Sequence, residues 1–303
     1  MISTLQDVIA PLTEAEFRVH FHERTVAFVR TSEPHRFETL LDWGDLNCLL
    51  NSGVYPIEAL HIGESMPIPT NLYSNQGRLD RSTFSSLMDR GASLIFNQLD
   101  KYAPRLFGLC GKLAEETGEQ VTAKAIVTSG KDSAQQRVGT EDICVLQIAG
   151  SKRWELSSPR SALNDTSSIP SAAQNVPSFD KVLREGDFLF VPAGFRRRRE
   201  NGPERSLEVH IVLEPPCGRD VVTWLASQLA ADETFNGPLT RYKDPNALAL
   251  HEVALKARLI DQVQSWSLAG FLAERAAARS KEVVIRIQGS QNSAQARFGG
   301  ATA

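Results

Sequence analysis

Residues 121–213 are built from short β-branched apolar runs fenced by turn residues, and this constrains the chain more than any other feature. The run Asp142-Ile-Cys-Val-Leu-Gln-Ile148 is followed by Gly150-Ser151 and then by Lys152-Arg-Trp-Glu-Leu156, which predicts a hairpin. Arg184-Glu-Gly-Asp187 and Pro192-Ala-Gly194 are turns on either side of the apolar run Phe188-Leu-Phe-Val191, which reads as a buried strand. Ser206-Leu-Glu-Val-His-Ile-Val-Leu213 supplies a further strand. The segment 157–180 between these runs is rich in Ser, Asn, Pro and Ala, and is expected to be a long mobile loop.

Helical patterns flank this β core. Thr13 followed three residues later by Glu16 predicts a capping box, and Phe37, Leu40, Leu41, Leu46, Leu49 and Leu50 lie near helical spacing around Trp43. Residues 51–75 read as strand pieces broken by Gly and Pro, 80–90 as a short helix and 93–98 as a strand. Pro104 opens a predicted helix that Gly118 closes. Three helical stretches follow the core, within 221–230, 247–259 and 263–278, with 239–245 linking the first two. The expected division is a β domain with N-terminal helices over 1–218, a helical region over 219–280, and a late strand (282–287) with a frayed tail over 281–303.

Composition excludes several classes. The net charge of −3 supplies no overall field for nucleic acid or an anionic membrane. No stretch approaches the roughly 20 apolar residues of a membrane helix, and the N-terminus lacks a basic segment with an apolar run, so no membrane or secretory role is expected. Cys48, Cys110, Cys144 and Cys217 form no CxxC pair and read as reduced cysteines of a cytoplasmic protein. His20, His22 and His35 have no carboxylate or cysteine spaced to complete a metal site, and His61 and His251 lie outside the core motifs. No Gly-rich phosphate loop, Ser/His/Asp set or cysteine nucleophile stands out.

The order of these elements, with Leu41-Asp-Trp43-Gly-Asp-Leu-Asn47, Asp142 to Trp154, Gly186-Asp187 to Phe195, and Pro238-Leu-Thr-Arg241, resembles the Jumonji-C (JmjC) branch of the cupin superfamily over roughly residues 10–275. The similarity is to bacterial ribosomal-oxygenase-type proteins, which are iron(II)- and 2-oxoglutarate-dependent protein hydroxylases. It implies a mainly β protein with α: a double-stranded β-helix barrel with helical N-terminal elements and C-terminal helices through which a homodimer forms.

The same resemblance locates the chemistry. The family holds iron with a His-x-Asp pair and a distal His, leaving positions open for oxygen and 2-oxoglutarate. Those three positions are here Arg137, Gly139 and Arg197. Arginine offers no lone pair to a metal and glycine no side chain, so no metal is expected at this place. The family's 2-oxoglutarate lysine and its helper hydroxyl correspond to Lys152 and Thr128, although Lys152 reads equally well as a solvated hairpin lysine. Arg137 and Arg197 either form an anion pocket or are neutralised by Glu141, Asp142 or Glu208. Ser206, Glu208 and His210 share one strand face, so a shifted iron site of Asp142, Glu208 and His210 is the rescue to test. The run Arg196-Arg-Arg-Arg199 is expected on the rim where family members admit protein.

The leading expectation is a pseudo-oxygenase that binds a peptide, a protein partner or a small carboxylate such as 2-oxoglutarate. The alternatives are an active 2-oxoglutarate-dependent hydroxylase with a non-standard Fe(II) site, and a structural partner of another enzyme.

Overall fold

A computed structural model describes residues 2–63, 68–75, 78–130, 134–158, 178–230, 232–239 and 244–278. The predicted strand at 282–287, the tail, Arg241 and most of the 157–180 loop lie outside these residues. Two compact units divide between Glu214 and Pro215.

The first unit opens with helices α1 (Leu5–Ile9) and α2 (Glu14–His22), then strand β1 (Ala27–Val29) and helix α3 (Trp43–Ser52). The predicted box is present: Thr13 accepts from the Glu16 backbone N–H, and Glu16 accepts from that of Thr13. Next come β2 (Leu60–Gly63), a small hairpin of β3 (Ser74–Asn75) and β4 (Arg78–Leu79), α4 (Arg81–Asp89), β5 (Ser93–Phe96) and α5 (Pro104–Thr117). Gly118 ends α5 in the left-handed conformation, φ 71°.

The remaining strands are β6 (Gln120–Thr128), β7 (Ala134–Val138), β8 (Asp142–Ala149), β9 (Lys152–Ser157), β10 (Phe179–Leu183), β11 (Phe188–Val191), β12 (Arg196–Asn201) and β13 (Ser206–Glu214). They form a seven-stranded sheet, β1-β11-β8-β13-β6-β5-β2, and a four-stranded sheet, β10-β9-β12-β7. Every pairing is antiparallel.

The predicted hairpin at 142–156 is not one. Strand β8 pairs with β11 and β13 in the large sheet, while β9 pairs with β10 and β12 in the small one. The Gly150-Ser151 turn therefore carries the chain from one sheet to the other. Gly150 is required there: its φ is 68°, and a Cβ would lie 2.3 Å from the Arg205 carbonyl oxygen.

Alternation along β13 shows how the layers divide. Leu207, Val209, Ile211 and Leu213 pack into the cluster under the helices. Val212 joins Ile143, Val145, Trp154, Leu156, Leu189 and Val191 between the two sheets, and Glu208 and His210 share its face. The arginine run departs from expectation in the same way, because it is strand β12. Arg198, on the outer face, meets Glu155 at 3.2 Å and Glu200 at 2.6 Å, whereas Arg197 and Arg199 face inward.

The second unit contains α6 (Gly218–Leu229), α7 (Glu233–Asn236), α8 (Pro245–Ser265) and a helical run over 268–278. Within it, Trp224 packs on Phe271 at 5.6 Å and donates its Nε1–H to Glu274 at 2.8 Å. No helix among the described residues is long and apolar enough to cross a membrane.

Candidate functional site

The barrel interior is polar at one level. Lys152 and Trp154 alternate inward on β9, and Glu208 and His210 on β13. The Lys152 ammonium is 2% exposed and sits 2.8 Å from Glu208 Oε2, while Trp154 Nε1–H donates to Glu208 Oε1 at 2.8 Å. His210 Nε2 lies 3.4 Å from Glu208 Oε2, and its ring is 5.7 Å from that of Trp154. Burial alone would raise the Glu208 carboxyl, but the Lys152 charge and the His210 hydrogen bond hold it well below the usual carboxylate range. Burial lowers Lys152 against the opposing pull of Glu208, and it pushes His210 down to about 4, so the imidazole is neutral at pH 7. The solvated reading of Lys152 is therefore excluded. The charge expected to meet a 2-oxoglutarate carboxylate already meets a carboxylate of the chain itself.

Above this pair a cavity of about 280 Å³ opens at the barrel mouth, bordered by Lys124, Arg137, Gly139, Arg197, Arg199 and His210. Strand register brings the three predicted iron positions together: Arg137 and Arg197 are direct partners across β7 and β12, and Gly139 follows beside them. Gly139 donates its N–H to Phe195 O at 3.1 Å, and Gly194 donates to Gly139 O at 2.6 Å.

The Arg197 guanidinium lies flat against Gly139. A Cβ on Gly139 would stand 2.0 Å from Arg197 Cζ and 2.3 Å from Nε, so glycine is the one residue that leaves room for this arginine. Arg197 Nη2 donates to the Glu141 carbonyl at 2.5 Å and more weakly to those of Pro192 (3.3 Å) and Val191 (3.5 Å). Burial, with Arg199 nearby, pushes its pKa down to about 10.

These residues do not fit iron. The three positions offer two guanidiniums and no side chain. The shifted triad fails on geometry. Asp142 is held by Arg24, whose Nη1 and Nη2 approach its oxygens at 2.5 and 2.6 Å, and by the Ala193 N–H at 2.6 Å. Glu208 and His210 lie in the Lys152 cluster instead. Among the described residues, no group of three or more His, Cys, Asp or Glu side chains is placed to hold a metal ion. The expected neutralisation of Arg137 and Arg197 by acidic residues is also redistributed: the Glu141 carboxylate pairs with Lys124 at 3.3 Å, Glu208 with Lys152, and Asp142 with Arg24.

Thr128 borders a different cavity, next to Val127 and Ser129, and its buried hydroxyl has no hydrogen-bond partner there. Sequence reasoning missed Lys124, Trp154 and Arg199. Alternation could have found the last two, because they share strand faces with Lys152 and Arg197. Lys124 is the register partner of His210, which requires knowing that β6 pairs with β13. His61, set aside as outlying, lines the mouth.

Comparison with known proteins agrees with this architecture. A family model described as JmjC domain matches residues 103–221. Ribosomal oxygenase 2 of Mus musculus is 23% identical over 217 residues, covering 70% of this chain and 47% of that protein. A protein named bifunctional lysine-specific demethylase and histidyl-hydroxylase NO66, from Drosophila persimilis, is 26% identical over 203 residues, covering 63% of this chain and 28% of that one. The chain thus spans about half the length, or less, of these curated relatives. The solved structure of YcfD, a ribosomal oxygenase from Escherichia coli in complex with cobalt and 2-oxoglutarate, superposes with a TM-score of 0.53 at 13% identity, over 84% of this chain and 68% of that one.

Proposed function

We propose that this chain, which belongs to the JmjC ribosomal-oxygenase-like family, is a member that works without iron: a pseudo-oxygenase that uses the barrel mouth to bind a protein or peptide partner. The observation that carries this reading is the Arg197–Gly139 contact. The guanidinium fills the space where a ligand side chain at position 139 would stand, and three carbonyls fix one of its nitrogens. The Lys152–Glu208 pair supports it from below, since the family's co-substrate lysine is already neutralised. Protein is the favoured class of partner because the relatives' names connect them with ribosomal and histidyl substrates. A cytoplasmic location and a homodimer through the second unit belong to the same proposal.

The test is reconstitution. Protein stripped of metal and reloaded anaerobically with Fe(II) is desalted, analysed for iron, and assayed for 2-oxoglutarate-dependent succinate formation. The expected result is iron well below one equivalent and no turnover. One tightly held equivalent with turnover would refute the proposal.

A further inference from the structure

We infer that the barrel mouth is a carboxylate-binding site centred on Arg197, built where the family fold would place a metal. The inference rests on the iron-free reading and names the ligand chemistry of that same cavity.

Four cationic side chains border the cavity, namely Lys124, Arg137, Arg197 and Arg199, together with one carboxylate, Glu141. That carboxylate is already committed to Lys124 at 3.3 Å. Arg197 is only 8% exposed, and its hydrogen bonds run from one nitrogen, Nη2, to carbonyl oxygens. Its Nε is buried and has no acceptor, and no described carboxylate forms a salt bridge with it. Glu141 and Asp142 act on it only through their charges, without a direct contact, and a buried guanidinium with no bonded carboxylate is stabilised by an anion. Nε itself is shielded against Gly139, but both residues line the cavity, so the charge of the guanidinium acts at its wall.

The surroundings select a carboxylate over a phosphate. Phosphate sites recruit backbone N–H groups, but those of Gly139 and Gly194 are already spent on Phe195 O and Gly139 O. The walls beside the arginines are apolar, with Ile126, Ile143 and Trp154 placed to cover methylene groups. At about 280 Å³ the cavity is at the small end of ligand sites, enough for a short dicarboxylate or one Glu or Asp side chain of a partner. The ligand is therefore held at the mouth by Arg197, with Arg199 and Arg137 beside it, and not at Lys152, whose charge Glu208 occupies.

The experiment is calorimetric titration of chelator-treated protein with glutarate, with an acetylated and amidated Glu-Glu peptide, and with inorganic phosphate, each at low and high salt. Arg197→Gln keeps the space at Gly139 open and should weaken carboxylate binding at least tenfold. Exposed Arg137→Gln should weaken it severalfold without risk to the fold. Glutarate tighter than the peptide identifies a small-molecule ligand, and the reverse identifies a partner's acidic side chain. Either supports the site. Absence of binding by both carboxylates overturns it, as does phosphate binding equally well, or carboxylate affinity unchanged in both variants. The iron assay reads the parent proposal separately, so metal uptake with retained carboxylate binding, or the reverse, assigns the failure to one of the two.

Discussion

Replacing Lys152 by methionine isolates the energetics of the buried pair beneath the mouth. At 2.8 Å the Lys152–Glu208 attraction is about 6 kcal/mol for an effective dielectric near 20. Desolvation of two buried ions costs several kcal/mol each, so the intact pair adds little net stability. Removing one partner is different, because it leaves Glu208 buried with the Trp154 Nε1–H and the His210 ring as its described hydrogen-bond partners and the Arg199 charge as its remaining cationic neighbour. The expected loss is about 3–5 kcal/mol. In a unit of this size that is a melting-temperature drop of roughly 10 °C. Lys152→Met combined with Glu208→Gln removes both charges and should return to within about 1 kcal/mol of the parent. Urea unfolding followed by tryptophan fluorescence, in a double-mutant cycle, measures the coupling. A coupling below about 1 kcal/mol, or a double variant as unstable as Lys152→Met, would refute the reasoning that these charges compensate each other inside the barrel.

Other consequences are equally direct. Gly139→Ala should destabilise by about 1–3 kcal/mol, because its methyl would overlap Arg197, and the loss should shrink in an Arg197→Ala background; chemical denaturation of the two singles and the double decides. Since the folded pKa of His210 is depressed to about 4, the unfolded chain binds more protons between there and about 6.5, so stability falls as pH is lowered through that window. The depressed Glu208 carboxyl adds a further loss on the acid side, below its ordinary range, and urea midpoints against pH should be flatter in Glu208→Gln/Lys152→Met. Arg137→His, Gly139→Asp and Arg197→His together should create a Co(II) site visible by absorption spectroscopy, whereas Gly139→Asp alone should not; no uptake in the triple variant would mean that these positions are not the converging ones.

Part of this site is legible in the sequence, and the residues explain why. Thr13, Glu16, Pro104 and Gly118 act locally, through one hydrogen bond, one ring or one left-handed turn, so helix ends were legible. The convergence of residues 137, 139 and 197 was legible through resemblance. Strand pairing was not. Gly150-Ser151 has the composition of a hairpin turn, but composition does not state which neighbours the two runs will find, and here they enter different sheets. Arg196–Arg199 carries no apolar alternation at all. It is a strand because Glu155 and Glu200 meet the outward Arg198, while the inward pair enters the barrel. The commitment of Glu208 to Lys152 was hidden for the same reason, as it joins residues 56 positions apart.

The fit of Arg197 against Gly139 also bears on reversibility. A one-step change at 139 to any residue with a side chain meets the guanidinium at about 2 Å, and a one-step change at 197 removes the donor to three carbonyls without adding a side chain opposite. Each position thus holds the other in place. A route back to a ligand set passes through a state in which one of the two has lost its fit, so drift one substitution at a time is steered away from it by packing and by the carbonyl hydrogen bonds together.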